Sequence, residues 1–338
     1  MIRVVHHQRN PAQGQRSLER VFATVRAHLD PGLQVRTAVA PWASRGLVRR
    51  ARNIASAARI EADVHHITGD IHYVALGLPR RRTVLTVADC GGMHVLNGYK
   101  RLLFRLAWLQ LPVRASAFVT AISDATRKEL AEFSGRSLEH IRVIGCPVPD
   151  GFVRAAPNPW PDEPVILQVG TGANKNLHRV VRALAGIQCR LLVVGPCDAP
   201  SKEALRSAGV PWSNLPEVSD ADMPSIYARA DMILFASTYE GFGLPIIEAQ
   251  ATGRPVVTSG VTAMPEVAGE GACLVDPYDV ASIRSGVSRV LDDASYRASL
   301  VQRGFENVRR FEPRLIASQY ARLYEEVSQY AGSREQSD

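Results

Sequence analysis

Two carboxylates in one short stretch carry the strongest chemical signal in this chain. Residues 230–257 read as a buried strand, a glycine loop, a short helix and another strand, with Glu240-Gly-Phe-Gly-Leu-Pro-Ile-Ile-Glu248 across the turn. Gly241 and Gly243 let backbone N–H groups approach a ligand with no Cβ in the way, and Pro245 suits the first helical position, where a missing N–H costs nothing. The helix start then presents free N–H groups and a partial positive charge to the loop, which makes the segment an anion site. Glu240 precedes the glycines, and Glu248 is placed in the first turn of the helix. Carboxylates around such a loop repel phosphate unless they hold something else. Sugar or ribose hydroxyls are the natural partners, because a carboxylate accepts two hydrogen bonds from a vicinal diol. The plainer alternative has Glu248 favouring the helix dipole and Glu240 solvated.

A second phosphate candidate is Val169-Gly-Thr-Gly-Ala-Asn-Lys-Asn-Leu177, a strand end and glycine turn opening a helix. Lys175 at that helix start can neutralise diphosphate charge. Gly170-x-Gly172 also begins a dinucleotide fingerprint. Lys175 stands where the third glycine belongs, however, and no acidic residue follows at the end of the next strand, which argues against a dehydrogenase.

Glu240 to Glu248 looks like the E-x7-E signature of family 4 (group 1) glycosyltransferases, a retaining family with the GT-B architecture of two facing Rossmann-like domains. The surrounding words agree: Tyr227-Ala-Arg-Ala-Asp231, Gly253-Arg-Pro-Val-Val257, Met264-Pro-Glu-Val-Ala-Gly269 and Leu274-Val-Asp-Pro277. The resemblance implies that Glu240 contacts the donor sugar near its C3 and C4 hydroxyls and Glu248 the ribose hydroxyls. The amides around Phe242, Gly243 and Leu244 would serve the sugar and diphosphate, and Lys175 matches the phosphate lysine of the family. Such families usually carry an arginine just after the first glycine, Gly170, where this chain has Thr171. They also often place a histidine where Ala88 stands, after the strand Thr83-Val-Leu-Thr-Val-Ala-Asp89.

Substitutes for that histidine are Asp89, His94 in the loop Gly91-Gly-Met-His94, and Asp70 or His72 in Thr68-Gly-Asp-Ile-His72. Each can equally be an ordinary polar loop residue. His6, His7, His65 and His66 lie at strand ends, and in open α/β sheets the strand C-termini point toward the ligand. No H-x3-H spacing supports a metal, and neither metal nor cofactor is expected.

The elements that position these residues follow from the rhythm of the chain. Ile2–His6, 34–39, Val64–Ile67, Thr83–Val87 and 117–121 are β-branched runs between helical stretches at 17–29 and 47–59, with Ser123 capping another helix. The alternation restarts at Val165–Val169 and continues through 190–195, 232–236, 255–258 and 272–275. The fold class is therefore α/β, with parallel sheets wrapped by helices. The Pro-rich stretch Pro157-Asn-Pro-Trp-Pro-Asp-Glu-Pro164 marks the boundary. Residues 1–157 form an N-terminal, acceptor-side Rossmann-like domain and 164–312 a C-terminal nucleotide-sugar-binding one. Residues 313–331 form an amphipathic helix, with Ile316, Tyr320, Leu323 and Val327 on one face, expected to return to the first domain.

At 338 residues, nearly half of them apolar, two real cores are expected, with disorder confined to the tail after Gly332. No apolar run approaches the roughly 20 residues of a membrane span, and the N-terminus has no signal-peptide pattern, so a cytoplasmic protein is expected. The five cysteines are scattered and odd in number, which supports neither disulfides nor zinc. The net charge of +7 is uneven: about +12 over residues 1–160 and about −5 over the rest. The first half therefore faces something acidic, such as an anionic membrane or a lipid-diphosphate acceptor; nucleic acid is the less favoured partner. Residues 99–114 mix Lys and Arg with Leu, Phe and Trp at near-helical spacing, as either an interfacial membrane helix or a core helix with a wet face would. The combined expectation is a hexose transferase that moves sugar from a nucleotide diphosphate donor to a glycan or lipid-linked acceptor in cell-surface polysaccharide synthesis, peripheral at the inner membrane face. A nucleotide-sugar epimerase and a non-catalytic nucleotide-sugar-binding protein are the rivals.

Overall fold

The computed structural model describes residues 1–13, 17–156 and 159–335. The chain divides into two compact units, one made of 1–147 with 313–338 and the other of 148–312.

The first unit holds a parallel six-stranded sheet: β1 (Ile2–Gln8), β2 (Leu33–Val39), β3 (Val64–Ile67), β4 (Thr83–Val87), β5 (Phe118–Ala121) and β6 (Arg142–Val143), in the order β2-β1-β3-β4-β5-β6. β4 and β5 read as near-continuous apolar or β-branched runs, as helices covering both faces of a doubly wound sheet require, whereas β1 and β3 interrupt theirs with His6, His7, His65 and His66. The helices Ser17–Ala27 and Asp124–Ser134 stand where the pattern puts them. In the latter, Ser123 Oγ accepts the Thr126 N–H at 3.0 Å, which is the expected cap.

The second unit repeats the plan with β7 (Val165–Val169), β8 (Arg190–Val194), β9 (Trp212–Leu215), β10 (Met232–Phe235), β11 (Val256–Ser259) and β12 (Cys273–Val275), ordered β12-β11-β10-β7-β8-β9 and all parallel. Its core packs Ile166, Leu191, Leu234 and Val257 from the sheet against Val180, Leu184, Ile283 and Val287 from helices. β9 escapes pattern reading because Trp-Ser-Asn-Leu is short and half polar.

Two boundaries differ from the sequence reading. The Pro-rich stretch does not start the second unit. Val148 N–H bonds Phe311 O at 2.9 Å, Phe152 packs edge-on to Tyr227 with centroids 5.2 Å apart, and Ala155 N–H bonds Thr252 O at 3.1 Å. Those contacts assign 148–156 to the second unit; Pro157 and Asn158, where that stretch begins, lie outside the described residues. The last helix runs Pro313–Glu335, longer than expected, and Gln336–Asp338 of the tail also lie outside the described residues. This helix belongs to the first unit. Its Ile316, Tyr320, Leu323, Tyr324 and Val327 are buried, and Tyr320 meets Phe22 of the Ser17–Ala27 helix edge-on at 5.3 Å. Each such side chain contributes about 1.5–3 kcal/mol of apolar burial.

Candidate functional site

β7 and β10 are neighbouring strands, so the loops at their C-terminal ends adjoin. This brings Lys175 to Glu240 across 65 residues: Lys175 Nζ donates to Glu240 Oε1 at 2.5 Å, with both side chains part-buried. The ammonium also lies 4.7 Å from the centre of the Phe235 ring, a cation–π contact. Gly170 makes room for this reach. It holds φ +87°, its N–H bonds Val194 O at 2.8 Å, and a Cβ there would sit 3.0 Å from Lys175 Cε.

The turn that carries Lys175 is not the start of an α-helix, as the sequence suggested. Ala173–Lys175 is a separate 3₁₀ turn, Asn176 takes the left-handed conformation at φ 61°, and the helix Leu177–Leu184 begins after it. Asparagine is one of the few residues besides glycine that visits that region. Here Asn176 Nδ2 donates to Ala236 O at 2.9 Å and to Pro277 O at 2.7 Å. Asn174 works beside it: its Nδ2 donates to Tyr239 O at 3.0 Å and Glu240 Oε1 at 3.2 Å, while its carbonyl accepts the Thr238 N–H at 2.8 Å. Two asparagines that sequence reading passed over thus stitch the lysine turn to the glutamate loop. Their only signal was the unusual Asn-Lys-Asn run in a glycine turn.

Thr171 Oγ donates to Pro196 O at 2.5 Å, so its hydroxyl ties the turn to the loop after β8. Beyond Glu240, whose N–H bonds Thr262 Oγ at 3.2 Å, the glycine loop turns into the helix Leu244–Thr252. Gly243 is its N-cap at φ 103°, a conformation that suits glycine. Leu244 rather than Pro245 opens the helix, and Phe242 is buried edge-on against Phe311 at 5.4 Å. Gly241 lies between Glu240 and Phe242 in this turn without a left-handed φ.

Glu248 stands apart from the pair. It falls in the second turn of the helix rather than the first, is 1% exposed, and its Oε2 accepts the Tyr227 hydroxyl at 2.6 Å. It is therefore neither a surface dipole partner nor a solvated carboxylate.

In the first unit, Asp89 Oδ1 accepts the Gly91 N–H at 2.8 Å. Desolvation raises its carboxyl from the ordinary value, and the Gly91 N–H opposes that shift. His94 Nε2 pairs with Glu129 Oε1 at 2.9 Å. Asp70 and His72 are occupied structurally. His72 Nδ1 bonds the Trp108 carbonyl at 3.0 Å. Asp70 Oδ1 accepts the Trp108 indole N–H at 2.9 Å.

The strand-end histidines do not face a ligand; they are core residues. His6 and His66 are aligned across β1 and β3, and both reach Tyr324 Oη, at 2.8 and 2.7 Å. His7 Nε2 and His65 Nδ1 meet at 3.1 Å on the opposite face. Burial is the main cause that lowers all four, His7 and His66 to about 3 and His65 to about 4, so they are neutral near pH 7. Among the described residues no group of three or more His, Cys, Asp or Glu could hold a metal ion.

Comparison with known proteins agrees with this architecture. Residues 163–293 match the family model described as "Glycosyl transferases group 1". The chain is 44% identical over 94 residues to "O-antigen chain mannosyltransferase B" of Escherichia coli, covering 28% of this chain and 25% of that protein. It is 26% identical over 312 residues to "Serotype-specific mannosyltransferase WbdA" of Escherichia coli, covering 79% of this chain and 38% of that one. The chain thus spans well under half the length of these relatives. Among solved structures, Anabaena Alr3699/HepE in complex with UDP and glucose superposes with a TM-score of 0.77 at 17% identity, over 96% of this chain and all of that one. Residues 163–293 are therefore a group 1 glycosyltransferase domain, and the chain that carries them has the GT-B fold.

Proposed function

We propose that this chain is a family 4 retaining glycosyltransferase that moves a hexose from a nucleoside diphosphate donor to a glycan or lipid-linked acceptor in cell-surface polysaccharide synthesis. The observation that carries the reading is the Lys175–Glu240 pair, set beside the N-terminus of the Leu244–Thr252 helix. A cation, a glycine turn and a helix N-terminus suit a diphosphate, and a carboxylate among them suits sugar hydroxyls. Mannose is the first donor sugar to test, because both relatives described above are named mannosyltransferases.

When donor binds, Lys175 exchanges its carboxylate partner for the diphosphate, and Glu240 is released to accept hydrogen bonds from the sugar. As the glycosidic bond breaks, negative charge grows on the leaving diphosphate, where Lys175 and the helix N-terminus stabilise it. Retention without a protein nucleophile follows if the acceptor hydroxyl attacks from the leaving-group side and the departing phosphate takes its proton. Lys175, rather than a divalent cation, is the proposed counter-charge, so activity should survive EDTA. Asp89 and His94 are the proposed acceptor-side residues. The acceptor is placed at the cytoplasmic face of an anionic membrane, and no helix among the described residues is long and apolar enough to cross one.

Ala88 and Thr171, where the resemblance leads one to expect histidine and arginine, favour a second reading as a non-catalytic nucleotide-sugar binder. An epimerase is the third, and it would give product from donor alone. The test is a thermal-shift titration with UDP-, GDP- and ADP-sugars, with Lys175→Ala and Glu240→Gln alongside, followed by acceptor glycosylation read by mass spectrometry. A shift lost in both variants together with glycosylated acceptor supports the transferase. A shift without transfer supports the binder, and no shift with any nucleotide overturns the site.

A further inference from the structure

Among the described residues, eleven of the eighteen large apolar side chains left exposed lie between Val39 and Leu111. That stretch also carries eleven Lys or Arg against four Asp or Glu. Dispersed apolar exposure needs no explanation, whereas concentration in a basic segment does.

Two elements produce it. Gly98–Phe104, a π-helical turn Arg105–Gln110 and Leu111–Ala115 follow one another as one continuous helical stretch. Its inner face supplies Phe104, Trp108, Leu109 and Val113 to the core of the first unit. Tyr99, Leu102, Leu103 and Leu106 recur at i, i+3, i+4 and i+7, the spacing of a buried stripe, yet they are 41–70% exposed. Lys100, Arg101 and Arg105 lie between them. The second element is the helix Leu47–Ala58, whose Ile54 and Ala57 join the same core layer, so both helices cover one face of the sheet. Its Arg50 guanidinium lies 5.3 Å from the Trp108 ring centre and joins the two helices directly. Its first turn exposes Leu47 and Val48, at 81% and 66%, has no acidic residue and no side-chain cap, and carries Arg49 and Arg50 where the helix dipole disfavours cations. In water that first turn is poorly matched to its helix; against an anionic surface the exposed Arg49 and the apolar Leu47 and Val48 are satisfied.

We propose that the first turn of the Leu47–Ala58 helix and the outer stripe Tyr99–Leu106 form one docking surface for an anionic lipid bilayer. This rests on the membrane-proximal acceptor proposed above and names the surface that meets the lipid. The leucines and Tyr99 enter the headgroup boundary while the exposed Arg49, Lys100 and Arg101 meet lipid phosphates, so binding requires both anionic lipid and apolar insertion.

The experiment is vesicle flotation of the intact chain with phosphatidylglycerol–phosphatidylethanolamine vesicles, and with phosphatidylcholine vesicles as the neutral control. The variants are Leu47→Ser/Val48→Ser, Leu102→Glu/Leu103→Glu and Lys100→Glu/Arg101→Glu; all alter exposed positions, and a retained melting temperature shows that each folds. Binding to anionic but not neutral vesicles is expected, weakened at high salt and by each double variant, roughly five-fold per cation removed. Absent binding to anionic vesicles, equal binding to neutral ones, or variants that bind like the parent overturn the proposal. So does a face whose variants change only sedimentation mass, which would make it a contact between copies of the chain. Donor-induced thermal shifts are read separately and should persist in all three variants, so failure of docking and failure of the transferase reading are distinguishable.

Discussion

The Tyr324 hydroxyl is the point at which the last helix is fixed to the first sheet, and its removal has a calculable effect. Arg26 can only donate, and its guanidinium lies 3.3 Å from His6 Nδ1, so that nitrogen accepts and the His6 proton is on Nε2. His6 Nε2–H therefore donates to Tyr324 Oη, and Tyr324 donates to His66 Nδ1. His66 Nε2–H then donates to Thr86 Oγ at 2.6 Å, and the Thr86 and Thr120 hydroxyls bond each other at 2.6 Å. In Tyr324→Phe, a buried donor on His6 and a buried acceptor on His66 both lose their partner, at about 1–3 kcal/mol each, so a destabilisation of about 2–6 kcal/mol is expected.

The same chain sets an acid response. Burial lowers His66 to about 3, from an ordinary 6.5, and lowers His6 well below 6.5. Below pH 6.5 the unfolded chain binds protons that the folded one refuses. Stability is thus fully present above that pH and falls as the pH drops toward 3. At pH 5 the loss is about 2 kcal/mol for His66, and His6 adds to it in the same direction. Hydrogen exchange of peptides from 313–335 is the assay, because a two-unit chain need not unfold in one step. Exchange there should accelerate in Tyr324→Phe at pH 7 and, once corrected for intrinsic rates, in the parent protein at pH 5. Unchanged protection in both cases would refute the hydrogen-bond assignment.

Other substitutions test the second unit. Gly170→Ala should strain a backbone at φ +87° by about 1–2 kcal/mol and displace the Lys175 side chain, so donor-induced thermal shift should fall while the protein stays folded; an unchanged shift would count against the role of Lys175. Asn174→Ala removes two hydrogen bonds to the glutamate loop and should lower kcat/KM about ten-fold with a smaller change in donor Kd, whereas equal losses in both would mean simple disruption. Glu248→Gln keeps an acceptor for Tyr227 and should fold normally, while Glu248→Ala leaves a buried hydroxyl without that partner and should cost about 1–3 kcal/mol in a denaturation experiment; equal stability of the two would show that the Tyr227 bond contributes nothing.

Much of this molecule is legible in the order of its residues. β-Branched runs separated by helical stretches fix parallel α/β units, because a strand covered by helices on both faces favours apolar residues along most of its length. Glu240-Gly-Phe-Gly-Leu-Pro places a loop and a helix start by local backbone requirements alone. Histidines are where pattern reading misled: placed at strand ends, they suggested a ligand, but the Pro313–Glu335 helix covers His6 and His66 and turns them into core hydrogen-bonding groups. Local sequence does not encode what packs over a strand.

The meeting of Lys175 with Glu240 was likewise invisible in one dimension, since strand order, not sequence distance, decides which loops adjoin. Residue types and spacing fixed what each segment could do chemically, because those limits are local. Which groups share an environment was settled by packing, because burial and proximity belong to the folded chain as a whole.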